Sequence, residues 1–527
     1  MTRSRDLADR GYQALTPEST GIVSVKDFGA VGDGVTDDTA AIQAAVSSGG
    51  HVKFPPGVYM YSDPIAVPSL TCLYGKGAIL RATTSRAQFR MDTVSDVTIT
   101  MLEFDGNKDA YSYTSGDPFP IHVTTGSKRI LIENNIVHDA YRVGIYCGYG
   151  TVGVAPSDVR IRGNTIYNIG DSSDPIGNFG NGVAISAGTD IWVQDNTIVN
   201  IWGTGGINIE GVGHIFERIH VEGNHITNVV GDAVNPASSR GIRFDAGNAP
   251  VLNANGNHII RNNFIETTAG SGIWVKDMRD YLIEGNMVKG SGVYGIECLM
   301  EDVGFCKVVG NTVEGYDGYG IAVSSGEYVN IDDNIIINSN AGSSAGILYN
   351  RSLTQKTLSI SGNLLSNIEG AGIRMNAISF NVSNNTFERC GLGSGTNHII
   401  QTASGAPALP ANSFGIISGN TVFNSTACRA FISAEGEQFG QRVVVDTNAL
   451  PQDMQFAYYG SSTIAQIVNG FYFNPPDVGN PGSAATWKVG DKVYADPSVV
   501  TAGGYEGWVC VTAGTPGTWK GFGPIAA

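Results

Sequence analysis

Ile191-Trp-Val-Gln-Asp-Asn-Thr-Ile-Val-Asn-Ile-Trp-Gly-Thr-Gly-Gly-Ile-Asn-Ile-Glu210 contains both phrases from which this chain is built. The first is a run of alternating apolar residues followed by x-Asn-x-apolar. It recurs at Ile130-Leu-Ile-Glu-Asn-Asn135-Ile and Val159-Arg-Ile-Arg-Gly-Asn164-Thr-Ile, with Asn196 in the quoted stretch. Further copies place the asparagine at Asn224, Asn263, Asn286, Asn311, Asn334, Asn363, Asn385 and Asn420. Intervals run from 22 residues (Asn363 to Asn385) to 39 (Asn224 to Asn263). Alternation with period two is the signature of a strand with one buried face. Short strands repeating at this interval, with turn residues between them and no helical pattern, predict a parallel β-solenoid. The asparagines are then a structural ladder, suited to αL turns and to bonding their neighbours along the stack. At roughly 4.8 Å per rung, eleven rungs make a rod on the order of 50 Å long.

The second phrase is Gly206-Ile-Asn-Ile-Glu210, repeated as Gly241-Ile-Arg-Phe-Asp245, Gly272-Ile-Trp-Val-Lys276 and Gly295-Ile-Glu-Cys298. Milder copies begin at Gly144, Gly182, Gly320, Gly346 and Gly372. Their inward positions are uniformly apolar, whereas the outward ones become charged or large only in the middle of the series. Aligned, the phrases put Asn208, Arg243, Trp274 and Glu297 in one outward column, and Glu210, Asp245 and Lys276 in the next. Glu210 stacked against Asp245 is electrostatically unfavourable, since like charges raise one another's pKa. One reading is a surface ladder in which Arg243 and Lys276 neutralise the acids. The other is a catalytic pair for glycoside hydrolysis: Glu210 and Asp245, one protonated by its neighbour's charge and donating to the leaving oxygen, the other activating water or attacking the sugar. In that reading Trp274 is a platform for a sugar face, and Asn208, Arg243, Lys276, Asp277 and Glu297 hold substrate. Loop aspartates Asp171, Asp174, Asp232 and Asp302 are weaker candidates, because isolated loop aspartates are commonly turn formers.

Composition narrows the classes. The chain has 527 residues, 70 glycines, 15% charged residues and a formal charge of −16. That balance excludes a nucleic-acid surface, which wants net positive faces. No apolar run approaches 18 residues, so no membrane insertion is expected, and the polar opening Met1-Thr-Arg-Ser-Arg-Asp lacks the apolar core of a signal peptide. The seven cysteines have no metal-like spacing and read as structural thiols, Cys147 and Cys298 at inward positions. No metal is expected for the hydrolase.

In chain order, residues 1–20 read as a connector, 21–434 as the solenoid and 435–527 as a β-rich C-terminal region for trimerisation or carbohydrate binding. Asp37-Asp38-Thr39 precedes an Ala-rich run and suits a helix cap. The insertions Gly170–Gly180 and Asp232–Arg240 each sit just before a glycine phrase and are expected to wall a groove.

Val25-Lys-Asp-Phe-Gly-Ala-Val-Gly-Asp-Gly-Val-Thr-Asp-Asp-Thr39 resembles the opening motif of the pectate-lyase-like right-handed β-helix superfamily. Ser4-Arg-Asp-Leu-Ala-Asp9 resembles N-terminal phrases of bacteriophage tail fibres and tailspikes. The end, with Gly507-Trp-Val-Cys-Val-Thr-Ala-Gly-Thr-Pro-Gly-Thr-Trp519, is similar to small terminal modules of phage proteins and loosely to chitin-binding modules. These resemblances imply an all-β chain whose body is a right-handed parallel β-helix. They also imply a homotrimeric tailspike depolymerase, located in the virion beside other tail proteins and acting on bacterial surface polysaccharide, capsule or O-antigen, outside the host cell. Lyases of this superfamily take a proton alpha to a uronate with Lys or Arg as base. Here that would be Lys276 or Arg243, with Ca²⁺ held by Asn208, Glu210 and Asp245 or Glu297. A non-catalytic glycan-binding adhesin is the third reading.

Overall fold

A computed structural model describes residues 21–110, 119–148, 154–171, 180–211, 216–231, 236–245, 256–299, 304–350, 355–392, 398–402 and 414–423, with shorter pieces between 430 and 524. Among the described residues, three parallel sheets of 16, 15 and 15 strands run the length of a solenoid. Each rung gives one strand to each sheet, in chain order, so strands adjacent in a sheet are one turn apart in sequence. A separate four-stranded sheet unites Tyr472–Phe473, Lys492–Ala495, Tyr505–Thr512 and Thr518–Pro524. The stacking runs on past residue 434: Arg442–Asp446 pairs with Phe414–Ser418, and Phe456–Tyr459 with Ala430–Ser433.

The interior is a column of aliphatic side chains. Ile207, Ile209, Ile242, Phe244, Ile273, Ile296 and Cys298 are fully buried, as the alternating pattern requires. Cys72, Cys147, Cys298, Cys306 and Cys390 are thiols, and burial pushes those of Cys147 and Cys298 up.

The asparagine ladder is continuous from Asn135 to Asn420 and is joined by Asn448. Asn196 shows the rule. Its Nδ2 donates to Asn224 Oδ1 at 2.9 Å and to the Ile161 carbonyl at 2.9 Å, while its backbone N–H donates to Asn224 Oδ1 at 3.0 Å. Every amide is thus satisfied inside the wall, as buried polar groups must be. The αL conformation, expected at the asparagine itself, falls one residue earlier. Asn134, Gly163, Asp195, Gly223, Asn262 and Gly285 have φ between 54° and 66°. The αL turn at that residue swings the next side chain inward, which is why it is buried.

The recurring glycine has a packing cause. A Cβ on Gly241 would meet Ile265 Cγ2 at 2.5 Å and the Gly272 carbonyl at 2.6 Å, and Gly206 and Gly272 are equally confined. The third sheet passes too close to the second there for any side chain.

The helix Thr39–Ser47 packs Ile42, Ala45 and Val46 into the same core. Asp38 stands at the N-cap position without a capping bond. Its carboxylate instead accepts the backbone N–H groups of Val31 (2.6 Å) and Gly32 (2.9 Å), pinning the preceding loop. Asp37 accepts the Thr39 N–H at 3.0 Å and so carries the cap. Among the described residues no helix is long and apolar enough to cross a membrane.

Candidate active site

Four neighbouring strands of the third sheet, Gly205–Glu210, Arg240–Asp245, Ser271–Lys276 and Ile296–Leu299, carry the residues singled out above. Their register sets Asn208 beside Arg243, Arg243 beside Trp274 and Trp274 beside Glu297. In the next column Glu210 pairs with Asp245 and Asp245 with Lys276. Both columns therefore exist, with rungs about 4.8 Å apart.

Side-chain geometry within the columns matches the surface-ladder reading for Arg243 and departs from the catalytic-pair reading, while Lys276 turns to Asp277 instead. Arg243 lies between the two acids: one guanidinium nitrogen contacts Glu210 Oε2 and the other donates to Asp245 Oδ2 at 2.8 Å. The repulsion expected to keep one carboxyl protonated is offset by this shared cation, whose planar fork suits two acceptors at once. Asn208 Nδ2 adds a bond to Glu210 Oε2 at 3.2 Å. Ca²⁺ bridging Glu210 and Asp245 would need the place that Arg243 fills.

Trp274 is not an open platform. It is only 9% exposed, with the Arg240 guanidinium 5.4 Å and the Arg243 guanidinium 5.2 Å from its ring centroid. Cation–π contact with two arginines encloses the ring that the strand pattern points outward.

Glu297 has a setting of its own. It is buried, accepts the Ser271 hydroxyl at 2.8 Å and receives the Trp274 indole N–H. Burial raises its pKa above the usual carboxylate value, and the bonds from Ser271 and Trp274 and the charge of Arg240 only partly oppose this. Arg240 and Ser271 escaped the sequence reading. Both lie immediately before a phrase glycine, and their register pairing sets a further column along the strands. Arg240 donates to the Ala237 (2.6 Å) and Ser239 (2.9 Å) carbonyls, and burial lowers its pKa. Tyr294, half-buried, has its hydroxyl pKa raised by burial and then by Glu297.

Lys276 pairs with the buried Asp277 at 3.4 Å. Asp171 lies in the field of Lys108. Asp174, Asp232 and Asp302 fall outside the described residues. On the second sheet Asp105, His138 and Asp139 gather, with His138 Nδ1 2.7 Å from Asp139 and Arg81 paired to Asp105 at 2.7 Å. Arg81 already neutralises part of that cluster.

Over 55 residues the chain is 53% identical to a pre-neck appendage protein of Bacillus phage phi29, covering 10% of this chain and 6% of that protein. Over another 55-residue alignment it is 54% identical to a mannuronan C5-epimerase of Azotobacter vinelandii, covering 10% of this chain and 5% of that protein. The chain thus matches only about a twentieth of these relatives' length. Among solved structures, the N-terminal fragment of bacteriophage phi29 gene product 12 aligns with a TM-score of 0.49 at 15% identity. That alignment covers 89% of this chain and 94% of that one. Residues 251–450 match the right-handed β-helix region, so the solenoid is a right-handed parallel β-helix. Residues 22–297, just over half of the chain, match the rhamnogalacturonase A/epimerase, pectate lyase-like family, and the chain belongs to it.

Proposed function

We propose that this chain is a polysaccharide depolymerase that hydrolyses glycosidic bonds of a bacterial surface glycan, with Glu297 as general acid and Asp245 as general base. The observation that carries the reading is Glu297: a buried carboxyl with a raised pKa, held by Ser271 and Trp274. A carboxyl whose protonated form is favoured by burial suits protonation of a leaving oxygen. Asp245 lies two rungs away and two residues further along the strand direction, so the two backbones are roughly 12 Å apart before side-chain reach. That spacing suits the wider separation at which a water fits between the carboxyls, and hence inversion. In this assignment Glu210, first paired with Asp245, holds Arg243 in place and accepts sugar hydroxyls.

Elimination is less well supported. Its base would be Arg243 or Lys276, and both are engaged by carboxylates. The tail setting, with a homotrimer at the virion surface and other tail proteins as partners, is supported by the resemblance of Ser4–Asp9 and by the short phi29 match. The test is a digest of purified capsules and O-antigens. Wild type should release reducing ends, and Glu297→Gln and Asp245→Asn should each release none while still binding polymer. Activity retained in both variants would sink the assignment, and binding without release by wild type would favour an adhesin.

A further inference from the structure

We propose that this outward face of the third sheet takes a neutral, hydroxyl-bearing glycan and rejects polymers carrying uronate, sialate or phosphate. The inference rests on the hydrolase reading above and names its substrate class. An anionic sugar is held by a guanidinium or ammonium that can turn toward it. On these four strands each cation is already held. Arg243 is divided between Glu210 and Asp245, Lys276 is paired with Asp277, and Arg240 gives one terminal nitrogen to two backbone carbonyls while its Nε, buried and facing no partner among the described residues, is closed off from solvent. Arg240, Arg243 and Lys276 face the carboxyls of Glu210, Asp245, Asp277 and Glu297, so the face has no positive surplus. The chain's formal charge of −16 opposes acidic polymers at longer range.

The outward column offers little more to an anion at either end. Toward the N-terminus, Arg90 pairs with Asp92 at 3.1 Å, and burial depresses the His122 pKa to about 4, leaving a neutral imidazole. Toward the C-terminus, Arg374 stands beyond Ala322 and Leu348, three rungs from Glu297. What the site does offer is acceptors. Asn208 is 6% exposed, and its Oδ1 is buried without a hydrogen-bond partner among the described residues. An unmet acceptor beside carboxylate oxygens suits a hydroxyl donor, whereas a uronate carboxylate brings only further acceptors.

The test uses the full chain on an array of bacterial surface polysaccharides of known repeat, half neutral and half acidic, scored by reducing-end release, with Glu297→Gln as control. Release is expected from neutral polymers alone. On such a polymer, the rate should change less than about twofold between roughly 0.05 and 0.5 M NaCl. An acidic polymer cut only after its carboxyls are reduced to alcohols also supports the inference. Comparable release from an untreated acidic polymer, abolished by Glu297→Gln, overturns it and leaves the hydrolase reading standing. Release from no polymer overturns the hydrolase reading and the inference with it.

Discussion

Ser271 donates its hydroxyl to Glu297 Oε2 at 2.8 Å, across adjacent rungs of the third sheet. Through this bond the fold tunes the proposed acid, because the hydroxyl stabilises the ionised carboxyl while burial opposes it. Ser271→Ala removes a stabiliser of the charged form and raises the Glu297 pKa further. A general acid loses activity as pH rises through its pKa, so the descending limb of the pH–rate profile should move to higher pH in Ser271→Ala. An unmoved limb would separate Glu297 from proton donation.

Glu297 also gives a stability signature. Its folded pKa lies above the unfolded value, so its contribution favours the fold at low pH and is lost as pH rises through the folded pKa. Glu297→Gln has no charge to bury. Its melting temperature relative to wild type should therefore rise with pH across the window that opens at the ordinary Glu value of about 4.5 and ends at the raised folded pKa. A constant difference across that window would contradict the upward shift.

Arg243 is predicted to be structural as much as functional. Arg243→Met leaves Glu210 and Asp245 stacked on adjacent rungs without their shared cation. Glu210 is part-exposed, so solvent screens part of the effect, and a loss of about 1–3 kcal/mol is expected from urea unfolding. Arg243→Lys should restore less than half, because an ammonium lacks the fork that reaches both acids. Equal rescue by lysine would show that only the charge matters.

Asn263 sits mid-ladder. Its Nδ2 donates to Asn286 Oδ1 (2.9 Å) and the Val221 carbonyl (2.9 Å), and its Oδ1 accepts from Asn224. Asn263→Ala strands those buried partners, with an expected cost of ~2–3 kcal/mol in denaturant midpoint analysis. A surface asparagine such as Asn338 should cost far less on the same scale.

Gly241→Ala probes the glycine phrase. The added methyl would collide with Ile265 and the Gly272 carbonyl, so stability should fall by about 1–3 kcal/mol. The same rung carries Arg243 and Asp245, so turnover should fall with it. Wild-type behaviour would mean that the sheets separate easily there.

The solenoid was legible because its rules are local: period two sets the buried face, and the Asn and Gly phrases set the rung. The same rules placed Asn208, Arg243, Trp274 and Glu297 in one column, since register follows from aligned phrases. What a column cannot reveal is where a long side chain turns. Arg243 reaches sideways between two acids, and Trp274, pointing outward by parity, is closed over by two arginines. The setting of Glu297 involves Arg240 and Ser271, which pair in a further column along the strands. The single-residue offset of the αL position was also hidden, because Asn, Gly and Asp all tolerate that conformation.

The most direct test of the account follows reducing ends and unsaturated-uronate absorbance together in one digest of bacterial surface polysaccharide by the wild-type chain. Hydrolysis through Glu297 and Asp245 predicts reducing ends with no new absorbance. Absorbance rising in step with reducing ends would mean elimination, with Lys276 or Arg243 as base, and would contradict the roles assigned to both acids.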